Sequence, residues 1–264
     1  MNLYKLIEDI EKVDPEVYGR LDSRRAAFKN FAGFGKKLAL TAVPLAFGSL
    51  FQKAYGQTNN DVTDVLRFAL TLEYLEEDFY IRGLAAPNLI PAADRPIFEQ
   101  IRKHETAHVQ FMKTALNIPA VDPNKPMFDF SAKGTFPTWN TDKNVYYALS
   151  QAFEDTGVRA YKGQVGRLVS NNEVLTAALQ IHSVEARHAA EVRRLRGLKG
   201  WITGKERGAG MPAATQPIYD GEEITMQATI NIATGNISAA AASEAFDEPL
   251  PKETVLAIAG LFIV

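Results

Sequence analysis

The chain has no cysteine, which excludes disulfides, thiolate nucleophiles and thiolate metal ligands. Histidine is scarce too, with 4 among 264 residues, at positions 104, 108, 182 and 188. Neither sign of charge dominates. With 29 basic and 31 acidic residues the formal charge is −2, and no block of Lys and Arg is present, so the sequence offers no surface for nucleic acid. Long apolar runs are missing as well: residues 38–51 are mostly apolar but too few to span a bilayer comfortably. No stretch sustains the alternation that would predict a strand. What remains is a chain with 46% hydrophobic residues, enough for a buried core in one large domain or two small ones.

The few histidines stand in a doubled pattern. Glu73-x6-Tyr80 followed by Glu105-Thr-Ala-His108 recurs roughly eighty residues later as Glu154-x6-Tyr161 followed by Glu185-Ala-Arg-His188. Residues three apart on a helix project from neighbouring points of one face, so the Glu and His of each Glu-x-x-His motif can reach one ion from a single rod. A lone Glu from each of two further helices completes a shell of four carboxylates and two imidazoles, the donor set of a two-metal site inside a four-helix bundle. One Glu-x-x-His alone is the pattern of an exposed ion pair; two in register, each with its upstream Glu and Tyr, are not. The faces agree, since Ile101, Val109 and Met112 flank the first motif and Ile181, Ala189 and Val192 the second. Buried carboxylates that converge need protons or a cation. Oxygen and nitrogen donors without thiolate suit iron or manganese, while imidazole equally tolerates zinc or copper.

Other residues near the motifs are candidates of a second kind. Glu76 and Glu77 lie one turn beyond Glu73 and compete with it, but only Glu73 keeps Tyr80 in register with Tyr161. Tyr80 and Tyr161 are core aromatics or hydroxyls that hydrogen-bond a ligand across the bundle. His104 and His182 flank the motifs by one turn and are expected beside the ligands rather than among them.

Apolar periodicity predicts helices over residues 61–85, 94–116, 141–170 and 172–198, with Asp61, Asp94, Thr141 and Asn172 at the N-cap positions. Short connections make each pair an antiparallel hairpin. Between the hairpins runs a proline-bearing linker over 117–140, long enough when extended to cross the bundle from end to end. The predicted fold is therefore all-α, a four-helix bundle with one long crossover.

Over residues 61–198 the chain resembles the ferritin-like superfamily, and most of all bacterial ferritin-like domain proteins with a twin-arginine leader. The resemblance implies metal ligands at Glu73, Glu105, His108, Glu154, Glu185 and His188. The lack of cysteine excludes the rubredoxin-type iron centre of standard rubrerythrins. Thr106 stands where bacterioferritins carry a haem-ligating Met, so no haem is expected. The doubled motif resembles the symmetric di-iron sites of bacterioferritin and rubrerythrin more than the site of manganese catalases.

The flanks divide the chain into residues 1–56, 57–199 and 200–264. Ser23-Arg24-Arg25-Ala26-Ala27-Phe28-Lys29, then Lys36, Lys37 and the apolar 38–51, resemble a twin-arginine export leader ending near Ala54-Tyr55-Gly56, which would place the protein in the periplasm. The other reading is an N-terminal helix packed on the bundle of a cytoplasmic protein. Residues 200–238 read as irregular, with short helices over 239–246 and 252–264. The apolar run 255–264 is a strap across the bundle or a surface shared in a homo-oligomer, and is too short for a membrane anchor. The expected function is redox chemistry of two iron ions with dioxygen or peroxide, including oxidation of Fe(II). A structural metal site or manganese-type peroxide disproportionation are the alternatives.

Overall fold

A computed structural model describes residues 60–264, and the leader reading lies outside them. Four long helices dominate: α1 (Asn60–Ala85), α2 (Arg95–Ala115), α3 (Lys143–Leu168) and α4 (Asn172–Leu195). A 3₁₀ turn (Ala213–Ile218), a two-stranded ribbon (Met226–Gln227 with Ile230–Asn231) and two short helices, α5 (Ala239–Ser243) and α6 (Lys252–Ala259), follow.

Local chemistry fixes where the helices begin and end. Asp142 and Asn171 cap α3 and α4, each side chain accepting a backbone N–H from the first turn, of Asn144 and Val174 respectively. These caps stand one residue away from the expected Thr141 and Asn172. Asp94 holds the cap position of α2 without a side-chain bond, and a proline in the first turn fixes the entry. Asp61 is inside the first turn of α1. Both second helices of the hairpins end alike. The Ile118 N–H bonds Lys113 O and the Asn117 N–H bonds Thr114 O; Leu198 and Gly197 do the same to Arg193 O and Arg194 O. Asn117 and Gly197 sit at positive φ, 55° and 74°, where this double-bonded C-cap requires it. That geometry stops α4 at Leu195, short of the expected Leu198.

The hairpins pack with α1 antiparallel to α3. Asp61, at the start of α1, meets Arg167 at the end of α3 at 3.1 Å, while Phe79, late in α1, stacks on Tyr146, early in α3, with ring centroids 4.7 Å apart. Since each hairpin is itself antiparallel, α2 and α3 run the same way and the linker must return along the bundle. It does so beside α1. Tyr74 donates to Asp122 at 2.8 Å, Glu77 pairs with Lys125 at 3.2 Å and Arg82 donates to Phe128 O at 3.2 Å, in ascending order along both segments.

The C-terminal extension covers the outer side of α3. Val255, Ile258, Ala259 and Phe262 are buried, and Phe262 meets Phe153 edge to face at 4.9 Å. An antiparallel bridge from Phe128 to Ile263 ties the strap to the linker. In α3, Gly163 lets the chain at Leu250 approach, since a Cβ there would collide with the Leu250 carbonyl oxygen. As a result α3 is buried almost all round, whereas α2 and α4 keep one wet face. Among the described residues no helix is long and apolar enough to cross a membrane.

Candidate metal centre

Each of the four long helices contributes to one buried cluster. Glu73, Glu105, Glu154 and Glu185 are fully buried, and His108 and His188 are 9% and 5% exposed. The His108 Nδ1 lies 3.1 Å from Glu73 Oε2, 3.1 Å from Glu105 Oε2 and 3.3 Å from Glu185 Oε1. The His188 Nδ1 lies 2.9 Å from Glu105 Oε1 and 3.2 Å from Glu154 Oε2. Two donor sets result, each within 4.8 Å across: Glu73, Glu105, His108 and Glu185, then Glu105, Glu154, Glu185 and His188. Glu105 and Glu185 belong to both.

The residues fit metal. Glu105 Oε1, Glu154 Oε2, both oxygens of Glu185 and the His188 Nδ1 are buried without a hydrogen-bond partner, although His188 Nδ1 and the carboxylates are close enough for one. These atoms crowd together without aligned hydrogen bonds, and one donor atom from each residue of a set lies within 4.8 Å of the others, close enough to share an ion. Among buried side chains such orphans are rare. Oxygen and nitrogen donors of this kind match iron, manganese or zinc.

Electrostatics gives the same answer. Burial, reinforced by Glu185, raises the Glu105 carboxyl to about 7, and burial raises Glu185 to about 8. Burial also raises Glu154, against the pull of His188. Glu73 goes the other way: burial pushes it up, but the adjoining His108 and bonds including that from Tyr161 outweigh it. Burial disfavours charge on both imidazoles, yet the charges of Glu73 and Glu154 overcome it, raising His108 strongly and His188 to about 11. The cluster thus combines carboxyls whose protons burial retains with two imidazoles that neighbouring carboxylates keep charged.

The neighbouring candidates separate. Tyr80 donates to Glu154 and Tyr161 to Glu73, each crossing between α1 and α3 to fix a carboxylate of the other hairpin. His104 Nδ1 stands 2.8 Å from His188 Nε2 with the rings stacked, so it supports that imidazole from behind. His182 does not join, its Nδ1 lying 3.0 Å from Val158 O. Glu77 is drawn to Lys125. Glu76 is 3% exposed and close to the ligands; burial, then the charge of Glu185, raises its carboxyl well above the ordinary range. The position matching Glu76 in the second hairpin is Gly157, whose missing Cβ would stand 3.1 Å from Glu185 Oε2 and 3.3 Å from Glu76 Oε1. A glycine opposite a glutamate at the repeat distance was the sequence signal for that extra carboxylate.

While α1 packs on α3, the facing sides of α2 and α4 leave a groove of about 450 Å³, lined by Ile97, Gln100, His104, Arg187, His188 and Glu191. Arg187 and Gln100 were not foreseen there, because nothing in the helical period shows which polar positions border a groove. Residues 61–198 match the family described as ferritin-like domain. No curated protein and no solved structure matches the chain. With the family match spanning the four helices that build the cluster, the chain belongs to the ferritin-like domain family.

Proposed function

We propose that this chain is a two-metal carboxylate protein, with iron the favoured metal, that oxidises Fe(II) or reduces dioxygen or peroxide. The observation that carries the reading is the sharing of Glu105 and Glu185 by two donor sets, each closed by its own Glu and His. Glu73 and His108 would hold one ion, Glu154 and His188 the other, with Glu105 and Glu185 between them. A bound iron pair supplies the electrons that an oxidant takes up.

The protein's own share is positional. Tyr161 and Tyr80 orient Glu73 and Glu154, and His104 holds the far side of His188. The apolar walls of α1 and α3 keep bulk water off, while the groove between α2 and α4 gives a small oxidant a way toward His188. Glu76 holds a proton beside Glu185, because its burial and four neighbouring carboxylates disfavour its anion.

Elemental analysis after iron-supplemented expression is expected to find about two ions per chain, as such bundles hold. Mixing the reduced-iron form with oxygen or peroxide should produce an oxo-bridged ferric absorption as oxidant is consumed. Protein free of metal after that expression would overturn the reading. Retained metal with no oxidant consumed would mean a structural role, and oxygen released from peroxide without reductant would mean manganese-type disproportionation.

A further inference from the structure

The groove between α2 and α4 is larger than a small oxidant needs. Its volume is about 450 Å³, whereas a water takes up only about 30 Å³ in the liquid and hydrogen peroxide about twice that. Sites for small organic ligands begin near about 300 Å³. The lining is also divided in character. Pro96, Ile97 and Ile101 of α2 form a hydrocarbon wall, and Arg187 and Glu191 of α4 bring one charge of each sign.

The polar groups of the groove fall into two sets. Gln100, His104 and His188 are committed to one another, with Gln100 Nε2 2.7 Å from His104 Nε2 and His104 Nδ1 2.8 Å from His188 Nε2. Arg187 and Glu191 are not. They stand four residues apart on one helix, yet they make no ion pair with each other or with any other of the described residues. An acid placed after its base along a helix is the poorer order for such a pair, which leaves both charges to be met from the groove. Arg187 is exposed and Glu191 half-buried.

We infer that the groove is a binding site for a small zwitterion with an apolar body, such as a free amino acid with an aliphatic or aromatic side chain. Its carboxylate meets Arg187, its ammonium meets Glu191, and its side chain lies on Pro96, Ile97 and Ile101. The other ligand classes each leave something unmatched. A simple anion meets the Glu191 carboxylate beside its partner, and a simple cation meets Arg187. A neutral apolar molecule strips water from both charges and returns no hydrogen bond. Only a ligand carrying both charges close together satisfies the pair, since residues four apart on a helix are near neighbours on its surface. Seated there, the ligand stands against His188 on the open side of the centre. Binding needs the groove and not the metal, so this inference goes beyond the redox reading and stands or falls separately from it.

The test is a titration of the full-length, metal-free chain with leucine, norleucine and phenylalanine, followed by calorimetry and by the ring signals of the four histidines in NMR. Saturable binding that shifts the His104 and His188 signals and leaves His182 unmoved is expected. N-acetyl-leucine lacks the ammonium and leucinamide lacks the carboxylate, and each should bind at least about tenfold more weakly, a loss of one charge-assisted contact. Arg187→Gln and Glu191→Gln should weaken leucine by a similar factor, with Arg187→Lys recovering part of the loss. Lys103→Gln removes an exposed charge on α2 outside the groove and should bind as wild type does. Thermal unfolding of each variant shows whether it is folded, and the intact wild-type chain tested against the blocked analogues answers the question even where a variant is not. No saturable binding of any of the three amino acids, equal binding of the blocked analogues, or binding that leaves the His104 and His188 signals in place would each overturn the assignment. Iron content measured separately reports on the two-metal reading, which a failure here leaves untouched.

Discussion

Glu154 and Asp155 are neighbours on α3, both buried, and they end in opposite situations. Asp155 faces the C-terminal extension and is fully matched: Arg193 grips it through Nε at 3.0 Å and Nη2 at 2.9 Å, and Tyr219 donates to it at 2.8 Å. Glu154 faces the bundle axis among three like carboxylates and keeps one oxygen unpartnered. The helix and the depth are the same, so burial alone does not tell a structural cluster from a functional one. What distinguishes them is completeness. Around Asp155 charge and hydrogen bonds close on themselves, whereas around Glu154 they leave valence for a cation.

The sharpest way to break this contrast is at Arg193. Arg193→Ala leaves the Asp155 charge buried and unpaired, and is expected to destabilise the protein by about 3–5 kcal/mol in denaturant unfolding while leaving metal content unchanged in whatever remains folded. In the centre the sign should reverse. Glu185→Gln relieves a crowd of like charges, so the metal-free variant at mildly alkaline pH should be more stable than wild type by on the order of 1–3 kcal/mol. The same variant should fail to retain either ion, since Glu185 serves both donor sets. A metal-free Glu185→Gln protein that loses stability, as Arg193→Ala does, would mean that the centre is another closed cluster.

Acidity sharpens the comparison without mutation. In the metal-free fold Glu105 and Glu185 hold their protons up to about 7 and about 8, against an ordinary value of 4.5, so across that interval the folded state binds more protons than the unfolded one. Stability must then fall as pH rises from about 4.5 to about 8. His188, raised to about 11 from 6.5, adds a loss of the same sign at the upper end. Ligands bind metal deprotonated, so metal should stabilise most where the metal-free form is weakest, at the alkaline end. Thermal unfolding with and without metal across that range measures both slopes; parallel curves would contradict the assignment of these groups as ligands.

The difference between the two clusters also governs how much could be read from sequence. Helices of period 3.6 and a motif repeated about eighty residues on gave the bundle and the six residues that converge, because both signals are local or duplicated. The Glu-x6-Tyr spacing selected Glu73 over Glu76 and Glu77, and the structure shows a use for that spacing, each Tyr reaching the opposite Glu. The Asp155 cluster left no comparable trace. Its members lie 38 and 64 residues apart and follow no repeat: Arg193 reaches Asp155 from α4, and Tyr219 joins them only because the extension folds back over α3. The same folding back buries α3 almost all round, which erases the amphipathic stripe that marks α2 and α4. Cap positions slipped by one because Thr141 and Asp142, or Asn171 and Asn172, are equally good cap chemistry in adjacent places.

The smallest expected effect concerns the asymmetry inside the centre. Replacing a glycine within a helix by alanine ordinarily gains up to about 1 kcal/mol, because the unfolded chain has less freedom to lose. At Gly157 the new methyl would press on Glu185 and Glu76 at distances that oblige one of them to yield by a few tenths of an ångström. In wild-type background the gain should therefore cancel. With Glu76→Ala already in place, one of the two obstacles is gone, and Gly157→Ala should recover about 0.5 kcal/mol or more, a coupling that a double-mutant cycle reads directly. Zero coupling would mean that the two positions do not compete for the same space, and that the second hairpin carries glycine there for a reason other than room for a fifth carboxylate.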